Sequence, residues 1–243
     1  MPTKEELKKL QSDPLPQKVL LTKARIREWY YKWGGQVYIS FSGGKDSTVL
    51  MHLVREEFPD VQAVFVDTGL EYPEIKQFVK QHENVRILHP KMGFANVIRK
   101  YGYPVLSKMI SHNIGIARRN PQGNIAKTVF VKGRCGKYDM HKYFPITKSD
   151  FLTSDKCCNV MKKAPLYGIS QKAIIATMAV ESQTREEQWI KHGCNMFDID
   201  DPKSAPMSFW TEQDVLQYIK QNNIEICSVY GDIIPDGGAT AAV

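Results

Sequence analysis

The densest chemistry in the chain lies in seven consecutive residues, Ser42-Gly43-Gly44-Lys45-Asp46-Ser47-Thr48. Paired glycines let a backbone turn sharply and approach a ligand closely. A helix beginning just after them presents unpaired N–H groups and a partial positive charge. Ser42, Ser47 and Thr48 add hydroxyl donors and Lys45 adds a cation, so the stretch predicts a cradle for phosphate or pyrophosphate. It is not the Walker loop, because no G-x-x-x-x-G-K-S/T spacing occurs. Asp46 is read as support for the loop geometry ahead of a place in a Mg2+ shell. Cys157 and Cys158 are adjacent, which disfavours a relaxed disulfide between them, whereas thiolates can bind soft metal centres. His89 reads as a core or rim histidine, and Trp210 as packing.

These residues need elements to hold them. The first 33 residues read as helical, with Leu7 and Leu10, a breaker from Asp13 to Pro16, and an amphipathic run from Val19 to Trp33. Gly34-Gly35 ends it. Gln36 to Ser42 is β-branched and aromatic, a buried strand, and helical periodicity from Ser47 to Phe58 follows the glycine turn. Val61 to Asp67 predicts a second strand, and Tyr72 to Gln81 a helix with Pro73 in its first turn. Asn84 to Pro90 predicts a third strand. This alternation is the pattern of a parallel sheet covered by helices. Asp67, at the carboxyl end of the second strand, suits ribose, adenine or metal contact, with helix capping as the alternative.

Beyond it, Gly93 to Tyr101 and Ser107 to Arg119 read as helices, while Asn120 to Phe151 shows little periodicity. From Arg99 to Lys142 there are ten Lys/Arg and a single acid, Asp139. Ala173 to Val180 reads as a strand. Thr211 to Asn223 reads as a helix with Thr211 at its N-cap and acids in its first turn. The tail from Pro235 to Val243 has no core-forming pattern. The expected organisation is a helical segment (1–35), one α/β domain (36–232) and a disordered or truncated tail (233–243).

Composition excludes whole classes. The chain has 243 residues, 42% apolar and 24% charged, which is ordinary for a globular protein and unlike a disordered or fibrous one. No apolar run approaches the roughly 20 residues of a membrane span. The charged start lacks a signal-peptide pattern, and five cysteines do not make a secreted disulfide scaffold, so a reducing cytoplasm is expected. The net charge of +7 permits a polyanionic ligand without naming one.

The motif SGGKDS resembles the PP-loop of the ATP-pyrophosphatase superfamily, whose members grip the pyrophosphate of ATP or the phosphate or sulfate of an adenylyl ligand. Further stretches are similar to the phosphoadenylyl-sulfate (PAPS) reductase-like branch. They are VFVDTGLEYPE (Val64 to Glu74), CCNVMKKAPL (Cys157 to Leu166), ESQTR (Glu181 to Arg185) and PMSFWTEQDVLQYIKQNNIEICSVYGD (Pro206 to Asp232). The resemblance runs from about Val37 to Asp232. It implies a doubly wound parallel sheet with helices on both faces, of the adenine nucleotide alpha-hydrolase type. It also implies ATP, APS or PAPS as the nucleotide, held near Ser42 to Thr48 and Asp67-Thr68-Gly69. Lys45 and Lys162 would hold phosphoryl or sulfuryl oxygens, and Arg185 would contact the nucleotide's phosphate or adduct. Lys45, Asp46 and Arg185 are the candidate catalytic set. The Cys157-Cys158 block is similar to that of members with a 4Fe–4S iron–sulfur cluster.

Departures from the pattern bear on the reaction. Met161 stands where the family's block carries arginine, and Thr177, Met178 and Ala179 replace another. Those changes remove charge-assisted hydrogen bonds to sulfate or phosphate. The nucleophilic E-C-G-x-H of sulfonucleotide reductases is absent after Cys227, so the chain as written is not expected to reduce sulfate by its own thiol. A second cysteine pair for the cluster is also absent, leaving Cys135, Cys194 or Cys227 to complete it, or a clipped or atypical tail. The leading expectation is a PAPS reductase-like enzyme of sulfur metabolism or sulfur transfer. Its rivals are ATP-dependent sulfuration of a nucleic acid, suggested by the basic segment, and a nucleotide-binding module without turnover. Implied partners are the nucleotide, with a nucleic acid, a sulfur-donor protein or a second copy in a homo-oligomer as further options. No membrane is implied.

Overall fold

The computed structural model describes residues 2–231 except 133, 136 and 137, with the side chains of 134, 135, 138 and 139 also outside the description. The expected tail, 233–243, therefore lies outside the described residues. Among the described residues two compact units result: 2–67, 71–88 and 169–231 form the first, and 68–70 with 89–168 form the second.

The first unit opens with helices α1 (Lys4–Ser12) and α2 (Leu15–Lys32). Thr3 caps α1 reciprocally with Glu6, a capping box. The breaker segment is shorter than the sequence suggests, because Pro16 fits the first turn of α2, where its missing N–H costs nothing. Strand β1 (Val37–Ser40) leads through the loop into α3 (Lys45–Glu57), then β2 (Ala63–Val66), α4 (Pro73–Lys80) and β3 (Val85–Leu88). Leu7, Leu15, Ile26 and Trp29 share one buried core with Ile39, Val49, Leu53 and Phe65, so the N-terminal helices belong to this unit's interior. Tyr30 stacks on Phe58 with ring centroids 3.7 Å apart, joining α2 to the end of α3.

The second unit contains α5 (Phe94–Tyr101), α6 (Lys108–Arg119), the two-residue strands β4 (Arg134–Cys135) and β5 (Tyr138–Asp139), and the one-turn helices α7 (Phe144–Thr147) and α8 (Lys156–Cys158). Its own core gathers Ile110, Ile114, Ala117, Ala126, Val129, Phe130 and Met140. The missing periodicity after Asn120 has a physical reason. Ile125–Val131 is a π-helix, whose i→i+5 bonding spaces its buried face differently from the 3.6-residue template.

The chain returns to the first sheet with β6 (Lys172–Ile174), α9 (Gln183–His192), β7 (Asn195–Met196), β8 (Lys203–Ser204) and α10 (Glu212–Gln221). The sheet order is β3-β2-β1-β6-β8-β7, parallel throughout except for the edge pair β7-β8. This is the expected doubly wound α/β arrangement. The strand expected over Ala173 to Val180 pairs only through Ile174, because its neighbour β8 stops at Ser204. Met178 is itself extended, the Ala179 N–H bonds to the Ser208 carbonyl, and the chain then turns so that the Glu181 carboxylate accepts the Met178 N–H. No described helix is long and apolar enough to cross a membrane.

Candidate functional site

Running outward from β1, the chain builds β2 and β3 on one side, and on its return builds β6 on the other. Such a reversal opens a crevice at the carboxyl ends of the two strands that flank it. Three segments of the first unit emerge at that end: Ser42 to Lys45 after β1, Asp67 after β2, and Ile175 to Glu181 after β6.

Gly43 holds φ +74°, and a Cβ there would lie 2.7 Å from Ile75 Cγ2 and 3.0 Å from Val79 Cγ2 on α4. Only glycine meets both demands, a left-handed backbone and a close helix neighbour. Gly44 is the N-cap of α3 and supplies no side-chain cap. Its carbonyl already takes the Thr48 N–H at 3.0 Å. The N–H groups of Lys45, Asp46 and Ser47 thus have no intrahelical acceptor and stand at the positive end of the helix.

Hydroxyls brace this loop. Ser47 Oγ donates to the Gly44 carbonyl at 2.9 Å and accepts the Ser42 N–H at 3.2 Å; Thr48 Oγ1 donates to the same carbonyl at 3.0 Å. Both side chains are buried. In this geometry their protons close the turn, whereas Ser42 is exposed and its Oγ accepts the Gly44 N–H. Lys45 Nζ lies 3.2 Å from Asp46 Oδ1 and 3.3 Å from Glu212 Oε1 on α10. Burial works against the ammonium, yet the two carboxylates outweigh it and the Lys45 pKa is raised. Its cation also sits 5.8 Å from the ring centre of Tyr230, whose Oη would be 3.0 Å from a Cβ on Gly44. Asp46 thus contacts the loop's cation, Lys45, directly.

Glu212 and Tyr230 were not legible as site residues. Glu212 shows in sequence only as an acid in a helix's first turn, and nothing local marks Tyr230. Glu212 reaches the loop because α10 starts where it does. The Thr211–Asp214 capping box fixes that start, and the buried Lys18 holds Asp214 Oδ2 at 2.7 Å and the Gln11 carbonyl at 2.7 Å. Trp210 is fully buried and donates its Nε1–H to Thr22 Oγ1 at 2.8 Å, which is the packing role expected.

The remaining candidates fall in various places. Asp67 pairs with Lys76 on α4 at 2.9 Å. Arg185, in the first turn of α9, forms an ion pair with Glu181. In the second unit, Thr68 is buried and its Oγ1 accepts the Leu70 N–H, Gly69 is left-handed at φ +82°, and Lys162 and His89 are exposed. Cys157 and Cys158 are free and half-buried. Of the thiols offered to complete a cluster, Cys194 is buried, accepts a hydrogen bond from Ser208 Oγ, and has its pKa pushed up by that burial. Cys227 is buried, and the Cys135 side chain lies outside the described residues. Among the described residues no three His, Cys, Asp or Glu groups come together as a metal site. The described residues thus do not gather the four thiolate ligands that a 4Fe–4S cluster needs.

Residues 36–104 and 118–235 match the sequence model described as the phosphoadenosine phosphosulfate reductase domain. An adenosine 5'-phosphosulfate reductase of Staphylococcus haemolyticus is 22% identical over 218 residues, covering 88% of this chain and 73% of that protein. A sulfate adenylyltransferase subunit 2 of Pseudoalteromonas translucida is 26% identical over 196 residues, covering 78% of this chain and 59% of that one. In fold, the chain is similar to the crystal structure of phosphoadenylyl-sulfate (PAPS) reductase from Candida auris in its phosphate complex. The TM-score is 0.51 at 13% identity, over 96% of both chains.

Proposed function

This chain belongs to the phosphoadenosine phosphosulfate reductase domain family, and from that premise we propose that it is a sulfur-metabolism enzyme that binds an adenine nucleotide (ATP, APS or PAPS) on the loop Ser42 to Thr48. The observation that carries this reading is the uncapped start of α3. Gly44 contributes no side chain, the first-turn N–H groups are unspent, and Lys45 stays charged beside them. That set matches the oxygens of a phosphate or sulfate ester.

In this reading the backbone N–H groups and Lys45 hold the anionic group: with ATP, sulfate attacks the α-phosphorus and they stabilise the charge on the departing pyrophosphate, whereas with APS or PAPS they hold the sulfuryl oxygens while the thiol of a separate reductant attacks sulfur and the adenylyl phosphate leaves with the bonding pair. Asp46 positions Lys45. Asp67 contacts the nucleotide's sugar or base, and Arg185 contributes a further cation to the adduct. Arg185 would exchange Glu181 for the ligand. The names of its relatives support sulfonucleotide chemistry over sulfuration of a nucleic acid. They divide between a reductase and an adenylyltransferase subunit, and each reaction has its own product. Titration calorimetry with pyrophosphate, ATP, APS and PAPS tests the binding. Sulfite release from APS or PAPS with a thiol reductant, against pyrophosphate release from ATP with sulfate, tests the reaction. Failure of all four ligands to bind, or equal binding by Lys45→Ala, overturns the proposal.

A further inference from the structure

Charge is divided unevenly between the two units. Residues 89–168 hold 15 Lys+Arg and 3 Asp+Glu, a net +12, so a chain of net +7 leaves −5 for the rest. Pairing is divided in the same way. Among the described residues, every ion pair between a lysine or arginine and a carboxylate lies in the first unit. In the second unit Arg118 is used structurally, donating to the carbonyls of Ile146, Thr147, Ser149 and Phe151. The other described lysines and arginines of residues 89–168 are all exposed. A surface with this many uncompensated cations is a footprint for a polyanion.

Flat apolar groups accompany the charge. A cavity of about 550 Å3 is lined by Phe94, Ile98, Arg99, Tyr103 and Leu152. Phe94, Tyr103 and Leu152 are 39%, 56% and 55% exposed, far more than core residues. Its wall is built firmly. Tyr103 N–H donates to the Leu152 carbonyl at 2.8 Å, and Ser154 N–H to the Tyr103 carbonyl at 3.1 Å. Gly102, at φ +97°, allows the two segments this approach, since a Cβ there would lie 2.2 Å from the Leu152 carbonyl carbon. Beside it, Lys100 and Lys156 stand 5.3 and 5.0 Å from the ring centre of Tyr101.

We propose that the second unit binds single-stranded nucleic acid, with an unstacked base in the cavity of Phe94, Tyr103 and Leu152 and the adjoining phosphates on its exposed lysines and arginines. Exposed aromatic faces among cations are what successive bases and phosphates require of a protein surface. An acidic polypeptide satisfies the charge but has no use for the aromatic walls, and a duplex keeps its bases stacked away from them. Binding of the strand, not chemistry on it, is what this surface supports.

The test is fluorescence anisotropy of the full chain with labelled 15-nucleotide DNA and RNA across a salt series. Binding of either strand is expected, weakening with salt at a log–log slope of about −3.5 for five phosphates. Tyr103→Ala should weaken it roughly 5- to 150-fold at an unchanged slope, while Tyr103→Phe keeps the stacking face and the affinity. Lys100→Ala with Lys156→Ala should flatten the slope by about 1.4. No binding of either strand at low salt would overturn the proposal. So would equal competition by polyglutamate of the same charge, equal affinity for a blunt duplex, or an unchanged affinity in a folded Tyr103→Ala variant.

Discussion

Replacing Gly43 with alanine should damage the fold by two separable routes. The first is backbone: φ at +74° puts an L-residue in the left-handed region, at about 1–2 kcal/mol. The second is space. The new Cβ would meet Ile75 Cγ2 at 2.7 Å and Val79 Cγ2 at 3.0 Å. Both are branch methyls fixed by their own χ1, so α4 must shift, at about 1–3 kcal/mol. Together these predict a loss of about 3 kcal/mol, or roughly 6–12 °C in Tm for a chain of this size. Urea unfolding of Gly43→Ala, Ile75→Ala and the double variant closes a cycle. The double variant should be less destabilised than the sum by about 1–2 kcal/mol, because one colliding methyl is gone while the φ strain persists. Neutral behaviour of Gly43→Ala would refute the left-handed turn. Strict additivity would refute the packing of α4 on the loop.

Further outcomes follow from the same contacts. Lys45→Ala should weaken pyrophosphate binding roughly 10- to 150-fold in calorimetry, the loss of a charge-assisted bond. Glu212→Gln should tighten it about two- to fivefold, because Glu212 competes with the ligand for Lys45 from an exposed position. Lys18→Met leaves Asp214 buried without its cation and should cost about 3 kcal/mol in urea unfolding; adding Asp214→Asn should cost less than the sum. Stability should also fall in alkali. Burial pushes up the Cys194 thiol and the Tyr38 and Tyr218 phenols, with Glu56 adding to the last. All three are neutral in the fold, so their contribution is full below ordinary values of about 8.5 and 10 and is lost as pH rises past them. Tm measured from pH 8 to 11 should decline from about pH 9. Tyr218→Phe should flatten the decline above pH 10.

The sequence by itself determined the features that are local. The alternation from Gln36 to Pro90 specified parallel strands and their helices, since residue spacing alone decides which side chains share a face. The glycine pair specified a turn into a helix start, because glycine adopts the positive φ that Gly43 holds without steric cost. Thr211 announced the start of α10 in the same way. What the tertiary structure alone decided is whatever depends on distant chain segments meeting. Ser47 and Thr48 read in sequence as ligand donors, yet their hydroxyls close on the Gly44 carbonyl. The strand after Lys172 was cut short because its partner β8 ends at Ser204. The π-helix from Ile125 to Val131 hid a real core behind an unfamiliar period. Glu212 and Tyr230 came to Lys45 from the far end of the sequence. A local pattern fixes backbone conformation, but which charges and rings surround a cation is settled only when the packing of α2, α3 and α10 brings them within a few ångströms.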